Sequence, residues 1–219
     1  MKKLFILLGM VLCITGCSNT NLSVRDIDHI VDTMIKRNTK IKNSNFDGYS
    51  YYIPKGLTFI SKDDYNATLK DKENNYYYLY VDVVSYYHQV KKKYKVDKNA
   101  FYSKKIKYKD YFGYLEINEE SDGYFVEGMY NYMKVEAFVK KDSLSDALTD
   151  IGAMLSSVKY NKSVLSTTIG ENILDYKEET YDIFNTKKKT DDFLDYIKEY
   201  EKIEEEEIDE DNLKVEEGE

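Results

Sequence analysis

The sequence is poor in the residues that stabilise very small or metal-dependent proteins. Among 219 residues it has no tryptophan, one proline, two histidines and two cysteines. Two cysteines are too few for a disulfide-rich scaffold, and this His and Cys content does not build a Cys/His zinc module. The low proline content excludes a collagen-like or proline-rich chain. The lack of long apolar runs excludes a protein with several membrane spans.

Bulky side chains are plentiful, and many of them are aromatic. The chain has 23 tyrosines and 9 phenylalanines, and 42% of its residues are hydrophobic. This supply is large enough to build a core, so we expect a folded protein. The length predicts one main domain with appendages rather than two full domains.

The first 16 residues have the organisation of an export signal. Two lysines precede an apolar run from Leu4, which ends at Ile14-Thr15-Gly16-Cys17. The run is too short to span a membrane, because a spanning helix needs about 20 apolar residues. Its end resembles the lipobox of bacterial lipoproteins, in which the cysteine receives a diacylglyceryl group and the signal is removed. We therefore predict a signal peptide and a lipidated Cys17.

The lipobox resemblance implies a location for the mature protein. Two acyl chains on Cys17 would hold it stably at a membrane surface, where one chain would be marginal. The chain is rich in Lys, Asn, Ile and Tyr, which is typical of AT-rich Gram-positive genomes. We expect a lipid-anchored protein on the outer face of the cytoplasmic membrane. The alternative is an ordinary secretory signal that ends in a cysteine by chance.

Acidic residues are concentrated at the C-terminus. The chain has a formal net charge of −8, and its segment 199–219 contains 12 acidic residues against two lysines. Residues 17–198 carry 28 charges of each sign. A self-repelling tail has little to bury, so we predict that it is disordered. The oxygen spacing after Asp209 does not fit an EF-hand loop, so we expect no calcium site there.

Periodicity and charge divide the chain into five parts. They are a lipoprotein signal peptide at 1–16, a lipid anchor and tether at 17–22, an α+β domain at 23–162, a C-terminal helical extension at 163–203 and an acidic disordered tail at 204–219. In the extension, Phe193, Leu194, Ile197 and Tyr200 recur at helical spacing and predict a helix over 190–203. A weaker pattern predicts another helix over 173–184.

Two helices and a series of strands are expected within the domain. Ser23 with Asp26 has capping-box spacing at the start of the first helix, and Ser143 with Asp146 has the same spacing at the second. Between them, apolar residues alternate with period two, which predicts antiparallel strands. Turns are expected at 54–56, 74–75 and 121–123.

Two of these strands carry specific expectations. The chain over 76–87 is apolar or aromatic on both faces, which predicts one long central strand. The last strand, 132–140, alternates cleanly and is expected to leave Lys134 and Glu136 on a solvated face. The turn at 54–56 is expected to join the strands on either side of it into a hairpin.

This order of elements resembles the PsbP-like α/β/α sandwich. The resemblance covers about residues 48–162 and rests on two stretches, YYIPKGL at 51–57 and MLSSVKY at 154–160. It implies an antiparallel β-sheet flanked by N-terminal and C-terminal helices. The family consists mainly of non-catalytic binding or assembly factors, although fold alone does not transfer a function.

The sequence lacks the common catalytic motifs. It contains no HExxH, GxSxG, CxxC, Walker or GxGxxG pattern. With His29 and His88 as the only histidines, Ser-His, Cys-His and zinc-water mechanisms lack parts. We expect no enzymatic activity, no metal and no cofactor. Carboxylates such as Glu119 and Glu120 leave open the alternative of a carbohydrate-active or other hydrolase.

One charged segment is a candidate binding surface. Between residues 91 and 109 there are nine lysines against one acidic residue, interleaved with three tyrosines. Such a patch attracts polyanions, although an exported protein seldom meets nucleic acid, which we therefore do not expect as a partner. The alternative is a solvated lysine-rich loop. The residues predicted to bind anions are Lys91, Lys92, Lys93, Lys95, Lys104, Lys105 and Lys107.

The favoured function is that of a surface-tethered, non-catalytic lipoprotein that binds or helps to assemble an envelope component. Its expected partners are the membrane, through the lipid on Cys17, and an envelope protein, an anionic lipid, a wall polymer or the protein's own tail. A purely structural subunit of an envelope complex is a further alternative. Such a subunit would expose an apolar patch larger than about 400 Å².

Overall fold

A computed structural model of the chain describes residues 22–37, 39–91 and 93–171. These residues form a mixed α+β fold, which confirms the predicted class. The signal peptide, Cys17, Lys92, the helices expected at 173–184 and 190–203 and the acidic tail lie outside the described residues.

Four helices and ten strands make up the described part of the chain. The helices are α1 (Val24–Lys36), α2 (Val83–Tyr87), α3 (Leu144–Ser157) and α4 (Lys162–Glu171). The strands are β1 (Ser44–Phe46), β2 (Tyr49–Tyr51), β3 (Thr58–Lys62), β4 (Asn66–Lys70), β5 (Tyr76–Val81), β6 (Tyr102–Tyr108), β7 (Tyr111–Glu119), β8 (Gly123–Tyr130), β9 (Met133–Lys140) and β10 (Lys159–Tyr160).

Seven strands form the main sheet, in the order β3-β4-β5-β9-β8-β7-β6, and all neighbours are antiparallel. The expected turns at 74–75 and 121–123 connect neighbouring strands of this sheet, as predicted. A smaller sheet has the order β1-β2-β10. Strand β10, which follows the end of α3, therefore pairs with the β1–β2 hairpin.

Helices α1 and α3 pack on one face of the main sheet, which we call the helix face. The residues Leu79, Val135, Gly128 and Leu115 form one cross-strand row on it. A Cβ atom at Gly128 would lie 2.9 Å from a methyl carbon of Leu155, so α3 approaches the backbone of β8 closely. The main hydrophobic core lies between this face and the two helices.

The first helix forms as the sequence predicts. Ser23 and Asp26 make both hydrogen bonds of a capping box. The apolar positions Ile27, Val31 and Met34 follow at helical spacing and are buried. They hold α1 against α3 and the sheet.

The opposite face of the sheet differs from the prediction. We call it the aromatic face; it carries Tyr76, Tyr78, Tyr80, Tyr114, Phe125 and Phe138. Lys134 and Glu136 also lie on it, but they are only 3% and 1% exposed, so the expectation of a solvated face was wrong. Large aromatic neighbours and ion pairs replace water around these two charges.

The expected long strand over 76–87 was also wrong. Strand β5 ends at Val81, and α2 follows directly. Asp82 explains the break, because its side chain accepts a hydrogen bond of 2.7 Å from the backbone nitrogen of Ser85 and caps the helix. A short polar side chain that binds the backbone three residues ahead favours a helix start over a continued strand.

Two further expectations about local structure were wrong. Helix α3 does begin after Ser143, but this residue closes a 3₁₀ turn over Lys141–Ser143 and its side chain makes no capping hydrogen bond. The turn at 54–56 exists, but the strands beside it belong to different sheets. Tertiary pairing of β2 with β1 and β10 replaces the expected hairpin.

Candidate functional site

A cleft of about 970 Å³ opens at one end of the main sheet. The C-terminal ends of α1 and α3 meet there with the β6–β7 turn and the end of β8. Segment 39–42 and Ser50 of β2 complete its wall. The cleft therefore combines residues that are far apart in the sequence.

The described lining of the cleft is strongly basic. It includes no aspartate or glutamate among the described residues. Its cationic side chains are Lys36, Arg37, Lys40, Lys42, Lys109 and Lys159. Positive charges converging on one concave surface attract anions and raise their local concentration.

Lys42 shows the electrostatic cost of this arrangement. It is half-buried, and its ammonium group donates a hydrogen bond of 2.6 Å to the carbonyl oxygen of Thr39. Burial, with the nearby charge of Lys159 as a second cause, lowers the pKa of Lys42. An anion in the cleft would relieve the repulsion between these two lysines.

Three hydroxyl groups in the cleft wall are buried. They belong to Thr39, Tyr130 and Ser156, and none has a hydrogen-bond partner within the described residues. Their oxygens have almost no exposed surface, so these groups belong to the wall and do not face a ligand in the cleft. The pKa of Tyr130 is raised to about 12, first by burial and then by Tyr111 and Tyr108, which keeps its hydroxyl protonated.

Aromatic rings give the cleft an apolar wall beside its charges. The rings of Tyr111 and Tyr130 meet edge to face, with centroids 5.9 Å apart. The ammonium nitrogen of Lys109 lies 5.3 Å from the centroid of the Tyr108 ring. Tyrosine faces of this kind contact the apolar faces of ligands while their hydroxyls reach polar groups.

The structure places most of the predicted anion-binding lysines away from this cleft. Lys91, Lys93 and Lys95 are exposed in the loop between α2 and β6, and Lys105 and Lys107 are exposed on β6. The loop is held beside β6, because the Tyr94 hydroxyl lies 2.7 Å from Oγ of Ser103. The Asp97 amide donates to the same oxygen at 2.9 Å.

Lys104 has a different environment from the other predicted lysines. It lies on the helix face, where its ammonium group pairs with Asp28 of α1 at 2.7 Å and with Asp32 at 3.7 Å. Asp28 also accepts a hydrogen bond from Tyr102. Lys104 thus links β6 to α1. That these seven lysines bind anions stays a prediction, and Lys92 lies outside the described residues.

A row of buried carboxylates crosses the aromatic face. Glu116, Glu127 and Glu136 lie directly opposite one another on β7, β8 and β9. Lys134 pairs with Glu127 at 2.9 Å and with Glu136 at 2.7 Å. Glu116 accepts a hydrogen bond from the Tyr94 hydroxyl. We call this set of three glutamates and Lys134 the acidic row.

The acidic row has the character of a structural network. Burial alone would lower the pKa of Lys134, but the two adjoining carboxylates offset that effect and raise it. The lysine therefore stays charged between its partners. Most glycoside hydrolases need one carboxylic acid and one carboxylate facing the substrate, whereas Glu127 and Glu136 are buried and share one cation.

The sequence patterns did not predict the basic cleft. Lys109 belongs to the lysine-rich segment, but the fold alone brings it together with Lys159. One signal was available: four of seven residues from Lys36 to Lys42 are basic and none is acidic. In a lysine-rich chain this run does not stand out.

No protein-family model matches the chain, and no curated protein matches its sequence. Within the described ranges, no helix combines the length and apolar character needed to cross a membrane. The same ranges contain no group of three or more His, Cys, Asp or Glu residues arranged to hold a metal ion. Evidence for a function therefore comes from the residues of this chain.

Proposed function

We propose that this protein is an exported, lipid-anchored binding protein without catalytic activity. In this proposal its basic cleft holds an anionic group of an envelope component. The observation that carries the binding role is the convergence of six cations in a cleft whose described lining has no carboxylate. The lipobox-like stretch at 14–17 supports export to the outer face of the cytoplasmic membrane and lipidation of Cys17.

The chemistry of the cleft favours a phosphate ester over a simple carboxylate. Five ammonium groups and one guanidinium group line the cleft and can surround a group with many acceptor oxygens, as a phosphodiester has. The tyrosine wall suits an organic moiety beside the phosphate. A phospholipid headgroup and a phosphate-containing wall polymer share this chemistry.

The proposed fold family agrees with a binding role. The order of one helix, a series of antiparallel strands and a second long helix supports a PsbP-like α/β/α sandwich. That family's mainly non-catalytic binding and assembly roles match the proposed function. A second helical layer over the aromatic face is the feature that would complete such a sandwich.

Exchanging lysines at matched positions tests the proposal. We compare Lys42→Gln/Lys159→Gln with Lys91→Gln/Lys93→Gln in the mature chain carrying Cys17→Ser, which lacks the lipid. Both variants lose two charges, but only the first loses them from the cleft. Because charge-assisted hydrogen bonds contribute about 1.5–3 kcal/mol each, the first should bind poly(glycerol phosphate) at least about tenfold more weakly. The second should stay within about twofold.

The choice of ligand separates the two sources of phosphate. Binding is measured to poly(glycerol phosphate) in solution and to vesicles with and without phosphatidylglycerol. A cleft-dependent preference for either one identifies the source. Equal losses in both double variants would show that net charge alone governs binding, and they would contradict a role for the cleft. A loss only in the loop variant would transfer the site to the predicted lysine segment.

A further inference from the structure

The aromatic face carries two hydrophobic clusters that are separate from the main core. The first consists of Tyr114, Met129 and Tyr132, and the second of Tyr76 and Phe125. The acidic row runs between them across β7, β8 and β9. Glu127 is 0% exposed and Phe125 is 1% exposed. This part of the sheet is therefore as dry as the main core.

The long described helices do not account for this burial. Helices α1 and α3 pack on the helix face, and neither cluster contains a described residue of α1, α3 or α4. The described residues outside the main sheet that pack against the first cluster are Tyr86 of α2, Tyr94 of the lysine-rich loop and Tyr160. Because the glutamates of the acidic row and the ring of Phe125 are screened from water, the face needs a covering layer beyond these three rings.

We propose that the segment 172–203 of the same chain packs on the aromatic face and forms this layer. The segment follows α4 directly, and it has enough apolar side chains to cover a sheet. Phe193, Leu194, Ile197 and Tyr200 fall on one side of the helix predicted over 190–203. Such an apolar stripe has to be buried against another surface.

The start of α4 lies next to the aromatic face. The ring of Tyr160, just before α4, stacks on Tyr86 with centroids 3.8 Å apart. Its hydroxyl donates to the carbonyl oxygen of Asn131 at 2.8 Å, in the turn between β8 and β9. Tyr86 in turn meets the ring of Tyr132 in the first cluster. The chain thus enters α4 beside the aromatic face.

The length of the segment also fits. A helix over 190–203 would be about 21 Å long at about 1.5 Å per residue. Five strands from β5 to β6 span about 19 Å at about 4.8 Å between neighbours. One helix of this length can therefore cross the part of the sheet that carries both clusters.

Site-specific photo-crosslinking tests the proposal in the full mature chain. Tyr78 lies on the aromatic face and is replaced by p-benzoylphenylalanine. Phe59, an exposed ring on the opposite face at the edge of the sheet, is the control. Mixing ¹⁴N- and ¹⁵N-labelled chains distinguishes crosslinks within one chain from those between chains.

The proposal predicts that position 78 crosslinks to peptides within 172–203 of the same chain, in a yield that does not depend on protein concentration. Position 59 should give no such product. Crosslinks between differently labelled chains would overturn the proposal in favour of a second copy as the cover. Crosslinks to other peptides, or none, would also overturn it.

A second variant keeps the test decisive if the bulky label disturbs packing. Phe193→Asp/Ile197→Asp places charge on the apolar stripe, and Lys198→Asp is the control with a new charge beside it. Hydroxyl-radical labelling of Tyr78 and Tyr80 should rise at least about threefold in the double variant only. Labelling of Tyr111 in the cleft should not change. Unchanged labelling of Tyr78 and Tyr80 would contradict the proposal.

Discussion

At the scale of single residues, Lys134 shows why alternation in a sequence does not settle which side chains meet water. Its strand alternates apolar and charged residues, a pattern typical of one solvated face. The fold instead places Lys134 between Glu127 and Glu136 in the dry interior. The alternation is visible in the sequence. The burial of Lys134 is not, because it depends on Glu127 and the aromatic side chains of neighbouring strands, which no local pattern identifies.

Removing Lys134 should therefore destabilise the protein strongly. Lys134→Met leaves two buried carboxylates without their shared cation, which should lower the free energy of unfolding by about 3–5 kcal/mol. Lys105→Met, at an exposed position on the same face, should change it by less than about 0.5 kcal/mol. Urea unfolding of both variants measures the difference.

The cost of Lys134→Met should come from the two carboxylates that it leaves without their shared cation. A buried charge without a counter-charge is costly, so adding Glu127→Gln/Glu136→Gln to this variant should recover part of the stability at neutral pH. A deficit that these substitutions do not change would contradict the ion network.

At the scale of elements, the sequence predicts local signals well and tertiary pairing poorly. The capping box at Ser23 and the turn at 121–123 are determined by neighbouring residues, and both are confirmed. The break after Val81 was missed because Asp82 looks like one polar residue within an apolar strand. Its role depends on a hydrogen bond to Ser85, which only the backbone geometry reveals.

The crossing of α1 and α3 makes a prediction at this scale. A Cβ atom at Gly152 would lie 2.5 Å from the sulfur and 2.6 Å from Cγ of Met34. Gly152→Ala should therefore destabilise the protein by about 1–3 kcal/mol, although alanine is the better helix former. Thermal unfolding measures the change, and Ser145→Ala, on the exposed side of α3, should be neutral or slightly stabilising.

A second substitution separates crowding from other effects of Gly152→Ala. In a Met34→Ala background the space next to Gly152 is empty, so the same change should cost less than it does in the native chain. An equal cost in both backgrounds, or stabilisation by Gly152→Ala alone, would show that the two helices are not as close as the structure indicates.

At the scale of the whole molecule, the concentration of positive charge on the surface depends on the fold and does not follow the density of lysines along the chain. Residues 17–198 have balanced charges, and their most lysine-rich segment is an exposed loop and an edge strand. The fold collects a different set of cations at one end of the sheet, around the cleft. Lys109 lies in the lysine-rich segment but was not among the residues predicted to bind anions. That it lines one cleft with Lys42 and Lys159 depends on how α1, α3 and β10 converge, which no local pattern shows.

The central claim is that the basic cleft binds an anionic ligand, and an NMR titration tests it most directly. The ¹⁵N-labelled chain from residue 17 onward, with Cys17→Ser, is titrated with poly(glycerol phosphate), and amide shifts are followed by residue. The account predicts saturable shifts that are largest around Thr39, Ser50 and Asn131, which line the cleft. Shifts confined to 91–107, or weak changes spread over all lysines, would contradict it.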